Sequence, residues 1–383
     1  ANAPRLYTDS FRKIAKEEGW EELRESVFIK KEEKGEIVAV MVMHVDDLLI
    51  FAADPVSHFA PIQKRLKMDE PEELKEGESF EYIGMTLKRT KDGYEIGQKE
   101  YLESVKIDES LLHGGRLNAS ILDPVLAEEV KEELVPLMQK CTGVTGWVAR
   151  TLPSVAFLFG ELSRWSSRPS PDKVEGVLRL LLHAQQTESP LVFTPCPNPK
   201  IVSFHDSSFS LSRGEGRAGF EAFLVDQGES IESMRESNLF AWRSSRIKRC
   251  LTSSTSSELC AQHDTVKRAY AWKSFAEGLW QKKIPIEFVT DSAPLMEQLE
   301  SGQMKSEPRL QGMLQFVRQE LRAMKAKTLW CPTDRMRADR QTKLKLTKDK
   351  GSQYVPPSRV SVAKTGARRK LIDFAKKVQF VRP

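Results

Sequence analysis

Four carboxylates stand where a folded chain could aim them into one cleft. Asp206 follows the apolar run Ile201-Val202-Ser203-Phe204, and Asp291 follows Ile286-Glu287-Phe288-Val289. Glu258 comes just after a Ser/Thr cluster, Thr252 to Ser257, and Asp339 a few residues beyond Pro332. Converging carboxylates can hold two Mg²⁺ (or Mn²⁺) ions about 4 Å apart, one activating a water and the other steadying the leaving oxygen of a phosphodiester. The chemistry implied is hydrolysis of a nucleic-acid backbone. A further adjacent pair, Asp46 and Asp47, interrupts the apolar run Ile37 to Ala53. Uncompensated burial of two charges there would be costly, and a hairpin turn that presents them to a metal ion resolves it. Taken singly, each acid has another reading: with 54 Asp and Glu in the chain, an acid at a strand end is commonly a turn or cap residue. An Asp-Asp pair can likewise be a β-turn without metal. The order of the acids and the elements around them carry the metal reading.

Those elements change character along the chain. Leu6 to Trp20 has the spacing of a short helix, and Val27 to Lys30 and Ile37 to Met43 read as strands around the charged turn Lys31 to Gly35. A hairpin follows, with Phe80 to Arg89 and Tyr94 to Gly97 joined by Lys91-Asp92-Gly93. Pro124 to Glu188 reads as helical, punctuated at Pro169 and Pro171. Beyond Pro197 three strands are predicted (Ile201 to His205, Glu221 to Val225, Asn238 to Arg243). A long helix from Ser256 to Trp280 follows, with Leu259, Val266, Ala269, Trp272, Ala276 and Leu279 on one side. Then come a strand at Ile286 to Thr290, a helix at Arg309 to Lys325 and a strand at Thr328 to Trp330. In this scheme Asp206 and Asp291 end strands, Glu258 lies in the first turn of the long helix and Asp339 opens a last helix.

Composition narrows the classes open to the chain. Its 383 residues, 40% hydrophobic and 30% charged, suffice for two or three domains with real cores. Five scattered cysteines form no Cys-x-x-Cys pair and keep no zinc spacing with the six histidines, which fits a reducing compartment and excludes a zinc site. The first residues lack a secretory pattern and an initiator Met, so a fragment or processed product is expected. The run Ile37 to Ala53 carries His44, Asp46 and Asp47 at its centre, which argues against a membrane span. Residues 343–383 hold twelve Lys or Arg against two Asp; set against a whole-chain charge of +5, this tail of +10 leaves −5 for the first 342 residues. Such a tail, with Arg368, Arg369 and Lys370 at its densest point, either holds phosphates by counterion release or is simply a solvated, disordered end.

The motifs resemble the pol polyprotein of copia-type retrotransposons over nearly the whole chain up to Lys343. In that family the ribonuclease H helix opens with Leu-Ser-Ser-Thr-x-x-Glu after a Trp-Lys-Ser-x-x-Gln strand; here Trp242-Arg243-Ser244-Ser245-Arg246 precedes Ser253-Ser254-Thr255-Ser256-Ser257-Glu258. The family's Asp-(Asn/Ser) pair appears as Thr290-Asp291-Ser292, and its closing Ala-Asp-x-x-Thr-Lys as Ala338-Asp339-Arg340-Gln341-Thr342-Lys343. Upstream, Ala3-Pro4-Arg5-Leu6-Tyr7, Val42-Met43-His44-Val45-Asp46-Asp47 and Phe80-Glu81-Tyr82-Ile83-Gly84-Met85 resemble reverse-transcriptase segments. Cys141-Thr142-Gly143 and Leu162-Ser163-Arg164-Trp165 resemble the helical connection. Two departures stand out: Ser207, Ser208 and Phe209 follow Asp206 where the family usually reads Ala-Asp-Trp, and His44 replaces a Tyr.

The resemblance implies an α/β (α+β) chain of four parts. Residues 1–115 would be a partial reverse-transcriptase palm, 116–196 a helical thumb or connection, and 197–345 a ribonuclease H-like domain with a mixed five-stranded sheet and flanking helices; the fourth part, 346–383, beyond the resemblance, is by its charge expected to be a basic, disordered tail. It implies that Asp206, Glu258, Asp291 and Asp339 bind two Mg²⁺ or Mn²⁺ ions and cut the RNA strand of an RNA–DNA hybrid. Asp46 and Asp47 would be the metal-binding remnant of a polymerase centre whose third carboxylate lies upstream in the family, so the polymerase site is incomplete. The partners implied are an RNA–DNA hybrid and the upstream remainder of a pol polyprotein, without a membrane, inside the cell in a cytoplasmic particle or the nucleus. The alternative is a catalytically inactive remnant that binds nucleic acid.

Overall fold

The computed structural model describes residues 3–66, 68–107, 112, 119–210, 215–235, 237–304, 307–344 and 378–381. The chain opens with α1 (Ala3–Glu17), then β1 (Trp20–Arg24), β2 (Val27–Lys31), β3 (Ile37–His44), β4 (Asp47–Ala52), α2 (Pro55–Gln63) and β5 (Glu72–Leu74). A meander follows, β6 (Ser79–Tyr82), β7 (Met85–Thr90) and β8 (Gly93–Gly97), then α3 (Lys99–Ser104). The helical stretch holds α4 (Val135–Val148), α5 (Ala156–Leu162) and α6 (Pro171–Thr187), and ends on β9 (Leu191–Phe193). The last part runs β10 (Pro199–Ser210), β11 (Glu215–Asp226), β12 (Leu239–Ile247), α7 (Ser254–Trp280), β13 (Ile286–Thr290), α8 (Ala293–Ser301), α9 (Gln311–Ala323) and β14 (Lys327–Trp330); β15 (Val378–Val381) closes the described chain.

The N-terminal sheet has the order β1-β2-β3-β4-β15-β5. Its core is Phe11, Trp20, Phe28, Met41, Leu48, Ile50, Phe59 and Ile62, from the sheet, α1 and α2. The strand β15 lies antiparallel between β4 and β5, although the basic composition of the tail predicts no element there. Trp20 begins a strand and not the end of a helix, because Gly19 at φ +83° turns the chain. The stretch Phe80 to Arg89, which alternates like one strand, is itself a hairpin: Ile83 (φ +52°) and Gly84 (φ +68°) reverse it, and β9 completes the β6-β7-β8 sheet.

The C-terminal sheet is mixed and five-stranded, as expected, with the order β12-β11-β10-β13-β14. Strands β10 to β12 are antiparallel and β13 and β14 run parallel to β10. The three antiparallel strands are longer than their apolar segments predict, because Ser207, Ser208 and Ser210 keep pairing with β11. Asp206 therefore lies within β10 and not at its end. The parallel ladder with β13 stops at Phe204 opposite Val289, so Asp206 sits just past the point where β10 loses that neighbour.

The predicted apolar stripe of α7 does pack on the sheet: Leu259, Val266 and Ala269 are fully buried with Ile201, Phe288, Leu314 and Val317. Full burial of a Leu, Val, Ile or Phe side chain contributes about 1.5–3 kcal/mol. The opposite face packs Val202, Phe204, Phe223, Val289, Cys331 and Met336. The helical stretch has its own core around Met138, Val148, Leu162, Val177 and Leu181. It meets the C-terminal sheet through Arg217 with Glu161 and through Trp242 Nε1 donating to Ala149 O at 3.0 Å. No described helix is long and apolar enough to cross a membrane.

Candidate active site

Asp206, Glu258 and Asp291 come together: one carboxylate oxygen from each lies within 4.8 Å of the others. Each arrives from a different element. Asp206 is carried by the central strand and is 1% exposed. Asp291 directly follows β13, and the next residue, Ser292, caps α8 by accepting from Leu295 N at 3.3 Å. Glu258 stands one turn inside α7, since Ser253 is the residue that caps the helix by accepting from Ser256 N at 3.1 Å. The sequence predicts Glu258 in the first turn; the Ser/Thr cluster starts the helix two residues earlier and moves it one turn further in.

Ser207 ties the first two acids together. Its N–H and hydroxyl both donate to Glu258 Oε1, at 3.1 and 2.7 Å. The other oxygen, Glu258 Oε2, is buried and has no hydrogen-bond partner. An unpaired buried carboxylate oxygen costs several kcal/mol in solvation unless it is neutralised. Burial, then the field of Asp206, pushes the Glu258 carboxyl up to about 8. Burial likewise raises Asp206, to about 6, against the opposing pull of Thr342 and Lys343. A divalent cation among the three acids would answer both. The donor set is all oxygen, which suits Mg²⁺ or Mn²⁺.

Asp339 is placed beside this group and not within it. It is 5% exposed and lies in a 3₁₀ turn, Arg337–Gln341, where a helix is predicted. Lys343 bridges it to the others, with Nζ 2.7 Å from Asp339 Oδ1 and 3.5 Å from Asp206 Oδ2. The turn is held on the sheet by Glu221, fully buried, which takes Arg340 Nη2 and Gln341 Nε2, each at 2.8 Å. It can lie so close because Gly219, opposite Asp206 on β11, has no side chain. A Cβ there would stand 2.5 Å from Gln341 Cβ and 2.8 Å from Thr342 Cγ2.

Ser207, Thr342, Lys343, Glu221 and Gly219 are the supporting residues that sequence reasoning missed. Ser207 carried a signal as the neighbour of Asp206, and Thr342 and Lys343 as the closing Thr-Lys of the motif around Asp339; Glu221 and Gly219 carried none. Asp46 and Asp47 do lie on a tight hairpin, with Val45 at φ +53° and His44 opposite Asp47. Among the described residues they join no group of metal-ligating side chains. Arg368, Arg369 and Lys370 lie outside the described residues.

No family model and no curated protein matches the chain. Among solved structures it is similar to the N-terminal RNase H domain of Rv2228c from Mycobacterium tuberculosis, at 17% identity over 38% of this chain and 91% of that one, with a TM-score of 0.28. The LC11-RNase H1 complex with an RNA/DNA hybrid gives 17% identity over 37% and 91%, at a TM-score of 0.28. RNase H1 from Halobacterium salinarum NRC-1 gives 17% over 37% and 92%, at 0.25. Overlap at these scores is slight, so the chemistry rests on the residues themselves.

Proposed function

We propose that the C-terminal part of the chain is a metal-dependent ribonuclease H that hydrolyses the RNA strand of an RNA–DNA hybrid. The parts before it are then the partial palm and helical connection of a copia-type reverse transcriptase. The observation that carries this is the convergence of Asp206, Glu258 and Asp291 from three elements, with a buried Glu258 oxygen left unpaired. The strand order around them supports it, as does the sequence order of the four acids.

Bound divalent ions would activate water and offset the charge that builds on a phosphodiester during in-line displacement. The chain's own residues set the geometry. Ser207 holds Glu258 by its Oε1 and leaves Oε2 without a hydrogen-bond partner. Thr342 donates to Asp206 Oδ2 and so holds its carboxylate plane. Lys343 keeps Asp339 at the rim of the group, where its carboxylate can accept a proton from an approaching water or steady a further cation. Side chains held this way by their neighbours supply part of the preorganisation that electrostatic catalysis requires.

Strand-labelled substrates test the proposal: an RNA–DNA hybrid, duplex DNA and duplex RNA, each with Mg²⁺. Cutting confined to the RNA of the hybrid is expected. Equal cutting of duplex DNA would make the chain a different nuclease, and no cutting of any substrate with Mg²⁺ or Mn²⁺ would refute the enzyme.

A further inference from the structure

Next to the three acids the sheet turns one large aromatic side chain outward. Trp330 ends β14 and is 52% exposed, while Leu329 and Cys331 on either side of it pack into the core with Phe204 and Phe223. Its polar handle is already used: Nε1 donates to the backbone oxygen of Asp291 at 3.0 Å. That bond fixes the indole against the backbone of a candidate metal ligand and leaves the ring face as what Trp330 offers to a partner. Beside it opens a pocket of about 220 Å³, lined by Trp330, Phe204, Ile231, Glu232 and Arg335 among others.

The lining is unusual in its mixture. Apolar and aromatic walls suit a planar ring, the Arg335 guanidinium suits a phosphate, and the Glu232 carboxylate accepts hydrogen bonds only. Both charged groups are exposed and so remain free to meet a polar ligand, and a free phosphate would meet Glu232 as well as Arg335. A nucleotide satisfies all three: its base on Trp330, its amino group toward Glu232, its phosphate toward Arg335.

We propose that Trp330 and this pocket form a base-stacking subsite that takes one base of the strand next to the phosphate held at Asp206, Glu258 and Asp291. The inference rests on the nuclease reading above and adds where the neighbouring nucleotide binds. Because Trp330 is hydrogen-bonded to the backbone of Asp291, the stacked base belongs to a nucleotide close to the reacting one.

The test uses the full chain with Ca²⁺ in place of Mg²⁺ and a hybrid carrying 2-aminopurine at successive positions. Binding should quench the fluorophore at one position, through stacking. Trp330→Ala should abolish that quench and weaken binding about tenfold, in the range expected for one base stacked on an aromatic ring. Trp330→Phe, which keeps a ring and loses the N–H, should retain both. Mn²⁺ binding by Trp330→Ala, measured alongside, should match the parent and show that the acids are undisturbed. If Trp330→Ala binds as tightly as the parent, or if quenching is uniform along the strand, the subsite is overturned while the nuclease reading stands. Failure of the unaltered chain to bind the hybrid would overturn both.

Discussion

Lys343 and Asp339 form an ion pair at 2.7 Å, and the same ammonium reaches Asp206 at 3.5 Å. The fourth acid of the sequence pattern is therefore joined to the first through a cation of the chain itself. Burial alone would lower the Lys343 pKa; the bond to Asp339 and the field of Asp206 outweigh it and raise it.

Lys343→Gln should thus leave two buried carboxylates without their cation. The metal-free protein is expected to lose about 1–2 kcal/mol, less than a fully buried pair because over a third of the Lys343 side chain is exposed. Mn²⁺ should then stabilise the variant more than the parent. Thermal unfolding of both proteins with and without Mn²⁺ measures this, and equal Mn²⁺ shifts would speak against it.

The raised Glu258 carboxyl has a pH signature. A folded-state pKa lifted above the unfolded value, here from 4.5 to about 8, contributes stability that is fully present below about pH 4.5 and lost as pH rises through about 8. Glu258→Gln, which cannot ionise, should therefore unfold at a higher temperature than the metal-free parent at pH 8.5 and at a similar temperature at pH 4. The same proton must leave before a cation binds, so Mn²⁺ affinity of the parent should fall as pH drops from 8 to 6. Calorimetry at several pH values would show an unchanging affinity if this is wrong.

Gly219→Ala pushes a methyl into Gln341 and Thr342, whose backbone cannot give way without moving Asp339. An overpacking cost of about 1–3 kcal/mol is expected, with cleavage reduced more than hybrid affinity, since the shift touches the acids and not the binding surface. Chemical denaturation with a paired kinetic assay checks both, and a variant as stable and active as the parent would show the turn to be more yielding than its contacts imply.

Primer extension should be undetectable. Asp46 and Asp47 present a hairpin, but among the described residues no further acid, His or Cys completes a ligand group with them. Extension of a primed template that Asp46→Ala abolishes would show a polymerase centre.

The parts of this architecture that sequence made legible were those set by local pattern. The run Ile286 to Thr290 is strand β13 as read, and the 3.6-residue stripe of α7 is the buried face, because period and burial are the same constraint. Asp206, Glu258 and Asp291 were legible because each adjoins such an element. Much of what stayed hidden depends on neighbours distant in sequence, and the rest on weak local signals. The extension of β10 through Ser207 to Ser210 needs β11 as a partner. Helix α8 has only nine residues and a weak stripe, and its start rests on the Ser292 cap and Pro294. The turn at Ile83-Gly84 puts a β-branched residue at positive φ, against its intrinsic preference. Glu221 and Gly219 read as ordinary strand residues, and only the return of residues 337–343 onto β11 gives them a role.

The most direct test of the metal site is Asp291→Asn, which keeps the shape of the side chain and removes its charge. Mn²⁺ binding by calorimetry and cleavage of a strand-labelled RNA–DNA hybrid would be measured on the same preparation of parent and variant. The parent should bind Mn²⁺ and cut the RNA strand; the variant should bind Mn²⁺ at least tenfold more weakly and fall by at least a hundredfold in cleavage, while still binding the hybrid. A variant that binds Mn²⁺ and cuts as the parent does would contradict the assignment of Asp206, Glu258 and Asp291 as the site.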